Sequence, residues 1–210
     1  MSFTDRLRRE RVIAIVRGTD PQAAERTVHT LREEGVALIE VSLTTPDAAG
    51  IIARCAREGG DSLIGAGTVL TGDDARTVQQ AGAAFVVTPA LAEGSVTAHA
   101  LGLPVVAGAL TPTEIVRAVS EGAAAVKLFP ASVGGPAYLR ALRDPLPGVP
   151  FVPTGGVDAE AARAYLEAGA LAVGVGSPIV GDAPRGGDVD ELRARCRAFL
   201  AALAAHRDQP

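Results

Sequence analysis

The sequence holds a single lysine. Of its 20 Lys and Arg residues, 19 are arginine and one is Lys127. Ordinary positive charge in this chain is therefore carried by guanidinium groups, and an amine is kept for one position. Other scarcities narrow the field. Tryptophan is absent, so the core must be built mostly from Ala, Val, Leu and Ile, in keeping with a chain that is 48% hydrophobic. A net charge of -4, with no basic stripe, leaves no footprint for nucleic acid. Uninterrupted apolar runs stop short of a bilayer span, and the first ten residues lack the apolar centre of a signal peptide, so no membrane partner and a cytoplasmic location are expected. The two cysteines, Cys55 and Cys196, sit in separate helical patterns, which argues against a disulfide or a metal-binding pair.

What the chain has in quantity is repetition. Apolar strand-like runs at 12–16, 38–43, 63–69, 85–88, 104–108, 123–130, 151–156 and 171–176 alternate with helical patterns. Helices are expected at 1–10, 20–34, 46–58, 72–81, 92–101, from 111, and at 136–142, 158–168 and 188–205. Asp20-Pro21 and Thr111-Pro112 carry the cap-then-proline signature of a helix start. Strands apolar on both faces, each followed by a helix, imply a parallel sheet covered by helices. Eight such units with short connections and no linker predict an α/β fold of the (β/α)8 TIM-barrel type, one compact domain over 1–210 with a short N-terminal helix. A doubly wound open sheet is disfavoured, because no G-x-G-x-x-G turn follows the first strand and Gly65-Ala66-Gly67 is too short a match.

Lys127 lies inside one of the apolar strands. Arginine stays protonated, whereas a desolvated lysine amine can lose its proton and attack a carbonyl. Side chains of a barrel strand alternate between the interior and the helix layer. With Lys127 turned inward, Ala125 and Phe129 share its face. In the second strand Ile39, Val41 and Leu43 suit the helix layer, which turns Glu40, Ser42 and Thr44 inward. Ile13, Ile15 and Arg17 of the first strand, Ala66 and Thr68 of the third, and Val152 and Thr154 of the seventh are expected inside as well.

Five polar groups thus converge: Arg17, Glu40, Thr68, Lys127 and Thr154. Most lie toward the C-terminal strand ends, where such barrels react. The plain alternatives are that the threonines are core hydroxyls and that Arg17 pairs with Glu40. An unpaired buried carboxylate is costly, however, and a mere ion pair with Glu40 would have been served equally by arginine. A nucleophile with an acid/base partner is the better reading of Lys127 and Glu40. Thr154-Gly155-Gly156 and Gly174-Val175-Gly176-Ser177 end the last two strands, where backbone N–H groups commonly hold a phosphate; otherwise these glycines only turn the chain.

Six stretches in order, 12–18, 38–44, 64–68, 87–89, 126–130 and 152–156, resemble the 2-keto-3-deoxy-6-phosphogluconate (KDPG) aldolase family, whose bifunctional members also cleave 4-hydroxy-2-oxoglutarate (KHG). The resemblance implies a class I aldolase, usually a homotrimer, that acts on a phosphorylated 2-keto acid without metal or other cofactor. By position it makes Lys127 the Schiff-base lysine and Glu40 the general acid/base. Thr68 would bind the carboxylate of the pyruvyl half, and Pro89 and Phe129 would line the pocket. Gly155, Gly156 and Ser177 would hold the distal phosphate, with Thr154 and Gly176 beside them. Some members carry an arginine where this chain has Thr44, and others carry one at the end of the first strand, as Arg17 does here. Arg17 is then expected to supply the cation, meeting carboxylate, phosphate or Glu40.

Three rival functions remain. A 2-keto-3-deoxy-6-phosphogalactonate aldolase would differ only in the sugar epimer. A phosphate-barrel isomerase or synthase would share the glycines but need no imine. A degenerate barrel acting as a binding module is opposed by the presence of both Lys127 and Glu40. A metal-dependent aldolase is disfavoured, since His29, His99 and His206 are scattered away from the expected strand ends.

Overall fold

The computed structural model describes residues 1–204, and five of its helices begin where the sequence supplies a side-chain cap. The first turn of a helix has N–H groups without intrahelical acceptors, and short oxygen-bearing side chains satisfy them. Ser2 with Asp5, Thr71 with Asp74, and Thr111 with Glu114 form reciprocal capping boxes before α1 (Phe3–Glu10), α4 (Gly72–Gln80) and α6 (Pro112–Ser120). Asp20 caps α2 (Pro21–Glu33), and Asp158 caps α8 (Ala159–Glu167). The remaining helices are α3 (Ala48–Arg57), α5 (Glu93–Ala100), α7 (Gly135–Arg143), the single-turn α9 (Ser177–Val180) and α10 (Val189–Ala204). Ala205, expected to end the last helix, and His206 lie outside the described residues.

Seven strands form one parallel sheet: β1 (Val12–Val16), β2 (Leu38–Ser42), β3 (Leu63–Gly67), β4 (Val86–Val87), β5 (Val105–Ala109), β6 (Ala125–Leu128) and β7 (Val173–Val175). Their order is β6-β5-β4-β3-β2-β1-β7, so the sheet curls until its two ends nearly meet. Eight strands were expected, and the run at 151–156 is the one that differs. Its residues do fill the gap. Val152 and Thr154 donate to Val126 and Leu128 of β6 (2.8 and 3.0 Å), and Gly174 of β7 donates to Pro153 (2.9 Å). Proline has no N–H, so Pro153 cannot return a bond toward β7, and the segment makes isolated bridges rather than a ladder.

The alternation of side chains divides the core in two. Val12, Ala14, Val16, Ile39, Val41, Val126 and Leu128 face outward and pack on Val28, Leu31, Ile51, Ile52, Ile115 and Leu139 of the helices. Ile13, Leu38, Phe85, Val87, Val106, Ala125, Val152 and Ala172 fill the interior. Most of these stand near the starts of their strands. There α1 lies across the barrel: Leu7 is fully buried among them, and the ring of Phe3 stacks at 5.1 Å on that of Phe85. The N-terminal end of the barrel is thus plugged by hydrocarbon, and access is left to the C-terminal end.

One strand has the opposite parity to that expected. Ala66 packs outward with the helix layer, and Gly65 and Gly67 face in. The reason is space. A Cβ on Gly65 would lie 2.5 Å from the Phe85 ring, and one on Gly67 would overlap the Glu40 carboxyl. The inward face of β3 carries no side chains because its neighbours fill that volume.

Phe85 is fully buried at the centre of the plug, so Phe85→Ala is expected to cost about 3–5 kcal/mol in urea unfolding. A loss under about 1 kcal/mol would show that the interior does not depend on this ring.

Candidate active site

A cavity of about 320 Å³ opens at the C-terminal end of the barrel, within the roughly 300–1,000 Å³ range of small-molecule sites. Lys127 and Phe129 reach it from β6, Arg17 from the end of β1, Thr154, Gly155 and Gly156 from the bridging segment, and Gly176 and Ser177 from beyond β7. Eight of the twelve site residues expected from the sequence therefore line one space. Glu40 does not line it directly but sits just inside, 1% exposed.

Register explains how the two ionisable groups came to be buried. Lys127 is paired with Gly108 on β5, and a Cβ there would strike the backbone of Pro89. The strand end carrying Pro89 can therefore close over β5 beside the lysine. Lys127 is 4% exposed, with its amine 4.9 Å from the centre of the Phe129 ring. Glu40 is paired with Ile15 and Gly65, and its carboxyl occupies the space left by Gly67. One of its oxygens, Oε1, is buried without a hydrogen-bond partner.

Burial is the main influence on both groups. It lowers the pKa of Lys127 from the ordinary lysine value; the charge of Glu40 opposes this and that of Arg17 adds to it. Burial raises the pKa of Glu40, against the pull of Lys127 and Arg17. Each group is therefore biased toward its neutral form: a free amine, which is a nucleophile, and a carboxyl able to give a proton.

Thr44, Thr68 and Pro89 stand outside the cavity lining. The two threonines are tied to it through Ser42, which is fully buried and whose hydroxyl meets Thr44 Oγ1 at 2.9 Å, Thr68 Oγ1 at 3.0 Å and Arg17 Nε at 3.4 Å. Thr68 joins this group by an unusual route. Its φ is +62°, in the left-handed region that β-branched residues avoid, and this turn redirects its side chain after β3 has ended. Gly155 and Gly156 also have positive φ, +93° and +74°, which a glycine adopts freely.

Two residues at this site were not singled out from the sequence. Ser42 was legible in part, since its inward parity follows from Glu40 two residues before. Arg185, which lines the cavity from a 3-10 turn at Ala183–Arg185, gave no periodic signal, because it lies in an irregular stretch. The scattered-histidine expectation has a qualification. Glu25, His29 and Cys55 bring ligand atoms within 4.8 Å of one another between α2 and α3, in the helix layer. There Glu25 is held by Arg54 at 2.7 and 2.9 Å, and His29 faces Glu58 at 3.3 Å.

A buried amine beside a buried carboxyl, at the open end of a parallel α/β barrel, is the arrangement that suits a class I aldolase, a carbon–carbon lyase that works through an imine. The chain belongs to the KDPG and KHG aldolase family, whose model matches residues 3–194. It is 41% identical over 160 residues to the 2-dehydro-3-deoxy-phosphogluconate aldolase of Treponema pallidum, covering 75% of this chain and 76% of that protein. It is 36% identical over 197 residues to the probable 2-dehydro-3-deoxy-6-phosphogalactonate aldolase of Rhizobium meliloti, covering 92% of each. A solved KDPG aldolase from Legionella pneumophila, with pyruvate captured at low pH as a covalent carbinolamine intermediate, matches with a TM-score of 0.85 at 28% identity. That match covers 94% of this chain and 98% of the other.

Because Gly67 makes room for the Glu40 carboxyl, Gly67→Ala is expected to displace it while the fold survives. A shift of about 1 Å in a reacting group can cost about 100-fold in rate. Lyase turnover should fall by about that factor with circular dichroism unchanged; unaltered turnover would show that Glu40 tolerates a different position.

Proposed function

We propose that this protein cleaves 2-keto-3-deoxy-6-phospho sugar acids to pyruvate and glyceraldehyde 3-phosphate, with Lys127 as the Schiff-base nucleophile and Glu40 as the acid/base. The observation that carries the reading is the chain's one lysine, buried with a lowered pKa beside an unpartnered carboxyl oxygen. KHG, which would yield pyruvate and glyoxylate, fits the same chemistry.

The neutral amine of Lys127 adds to the C2 ketone to give a carbinolamine. Glu40 donates a proton to its hydroxyl, water leaves, and an iminium remains. The C3–C4 bonding electrons move into the iminium to form an enamine, while the C4 hydroxyl loses its proton to Glu40 and the aldehyde departs. Glu40 then returns a proton to C3. Water hydrolyses the resulting iminium to pyruvate and frees Lys127. Thr68, with Ser42, Thr44 and Arg17, holds the carboxylate of the pyruvyl half. Phe129 forms the apolar wall beside the amine, and Pro89 backs it from the neighbouring strand end. Thr154, Gly155, Gly156, Gly176 and Ser177 hold the phosphate end.

In this reading the segment at 151–154 serves as the eighth stave of a (β/α)8 barrel, supported by its bonds to both neighbours. We further infer a cytoplasmic homotrimer. Leu70, Val96, Val116, Val119 and Val133 leave apolar surface exposed that a second copy would cover, and among the described residues no helix is long and apolar enough to cross a membrane. Light scattering at micromolar concentration is expected to give three times the chain mass; a monomer would end the trimer reading.

Incubation with pyruvate followed by borohydride is expected to place one reduced adduct on the peptide carrying Lys127, and Lys127→Arg is expected to abolish both adduct and turnover. Absence of an adduct on folded protein would favour a barrel isomerase or synthase. The amine reacts only after losing its proton. The rate of trapping should therefore rise with pH through a midpoint below the ordinary lysine value of about 10.4. Glu40→Gln should slow turnover by about 100-fold or more. Unchanged kinetics would reduce Glu40 to a structural partner.

A further inference from the structure

Two arginines line the cavity, and the structure separates their surroundings. Arg17 is drawn inward, its Nε on Ser42 and thereby next to Thr68 and Thr44. Arg185 comes from the opposite direction in sequence, from the turn that follows α9, and it is exposed to solvent. The two are brought to one rim by a close contact. Gly18 lies against the carbonyl of Pro184, where any Cβ would collide, and its N–H donates to the buried hydroxyl of Thr45 at 3.2 Å. Ala183 and Pro184 are buried, so the turn is anchored and Arg185 leaves it at a defined place.

Most arginines near an acid in this chain are paired with it. Arg54 holds Glu25, Arg193 holds Glu33 and Glu34, and Arg197 holds Glu34. Among the described residues neither Arg17 nor Arg185 has a salt-bridge partner, and no Asp or Glu lines the cavity. Of the two acids nearest to Arg185 in sequence, Asp182 is 3.9 Å from Arg195, and Asp188 accepts from the backbone N–H groups of Asp190 and Glu191 at the start of α10. An unpaired guanidinium on the wall of a cavity free of carboxylates is arranged to receive an anion from outside the chain.

We propose that Arg185 supplies the positive charge for the distal phosphate and so determines specificity for phosphorylated over unphosphorylated sugar acids. This rests on the aldolase reading of the same cavity. Arg17, held by Ser42, is committed to the carboxylate end, so the substrate's two anionic ends meet one arginine each. The glycines at 155, 156 and 176 can approach a phosphate closely but bring no formal charge. A phosphate carries about -1.5 to -2 at pH 7 and fits the guanidinium fork in two parallel hydrogen bonds.

The test compares kcat/KM for 2-keto-3-deoxy-6-phosphogluconate and for its dephosphorylated form in the native enzyme, Arg185→Gln and Arg185→Lys. A charge-assisted contact of this kind is worth about 10- to 100-fold. The ratio of the two kcat/KM values is expected to fall by that factor in Arg185→Gln, mainly through KM, and to recover in part in Arg185→Lys, which keeps the charge but not the fork. The inhibition constant of inorganic phosphate should rise in parallel. A preserved ratio, with both substrates equally affected or equally unaffected, would overturn the proposal. Pyruvate trapping on the native enzyme bears on the other reading alone, because pyruvate has no phosphate: a missing adduct would remove the aldolase assignment, whatever Arg185 does.

Discussion

Everything at the open end of this barrel depends on keeping water away from one amine. In bulk solvent the amine of a lysine is almost wholly protonated at neutral pH, and only its small unprotonated fraction can attack a carbonyl. Inside β6, closed over by the chain from β4 and β5 and flanked by the Phe129 ring, burial works against the charged form and lowers the amine's pKa. The same burial acts on Glu40 in the opposite sense, since for a carboxyl the neutral form is the protonated one. A single environment thus biases an amine and a carboxyl, side by side, toward their neutral forms.

The rest of the fold can be understood as what this burial demands. Phe3, Leu7 and Phe85 seal the N-terminal end, so the interior is dry from below. Gly65 and Gly67 empty the inward face of β3, the first in favour of the Phe85 ring and the second in favour of the Glu40 carboxyl. Gly108 permits the neighbouring strand end to close in beside Lys127. These glycines are not turns. They are places where backbone lies so close to a functional or sealing side chain that nothing larger than hydrogen fits.

Much of this was legible in the chain itself. The strand–helix alternation, the inward faces of the first, second and sixth strands, and the meeting of Lys127 with Glu40 follow from periodicity and from the cost of burying charge, and the helix starts at Asp20 and Thr111 from their cap-then-proline pairs. What escaped shows where periodicity ends. At 151–156 the apolar pattern is that of a strand, but proline at 153 removes a donor that only a ladder would reveal as missing. In β3 alternation was expected to turn Ala66 and Thr68 inward, whereas the decision belonged to the volume of Phe85 and Glu40 elsewhere in the chain. Thr68 reaches Ser42 by leaving the strand geometry on which its predicted inward parity had rested. Arg185 sits in a loop with no period at all, and its position depends on the contact between Gly18 and Pro184, residues far apart in sequence.

The use of arginine for every basic side chain but one has a consequence for the enzyme's endurance. Cleavage releases an aldehyde beside the protein, and aldehydes condense with side-chain amines wherever they find them unprotonated. On a lysine-bearing surface the small unprotonated fraction of each amine is open to such condensation. Here the only lysine amine is the 4%-exposed one at the base of the cavity, and apart from the chain's own N-terminus the outer surface offers no amine to modify. The arginine coat makes the catalyst a poor target for its own product.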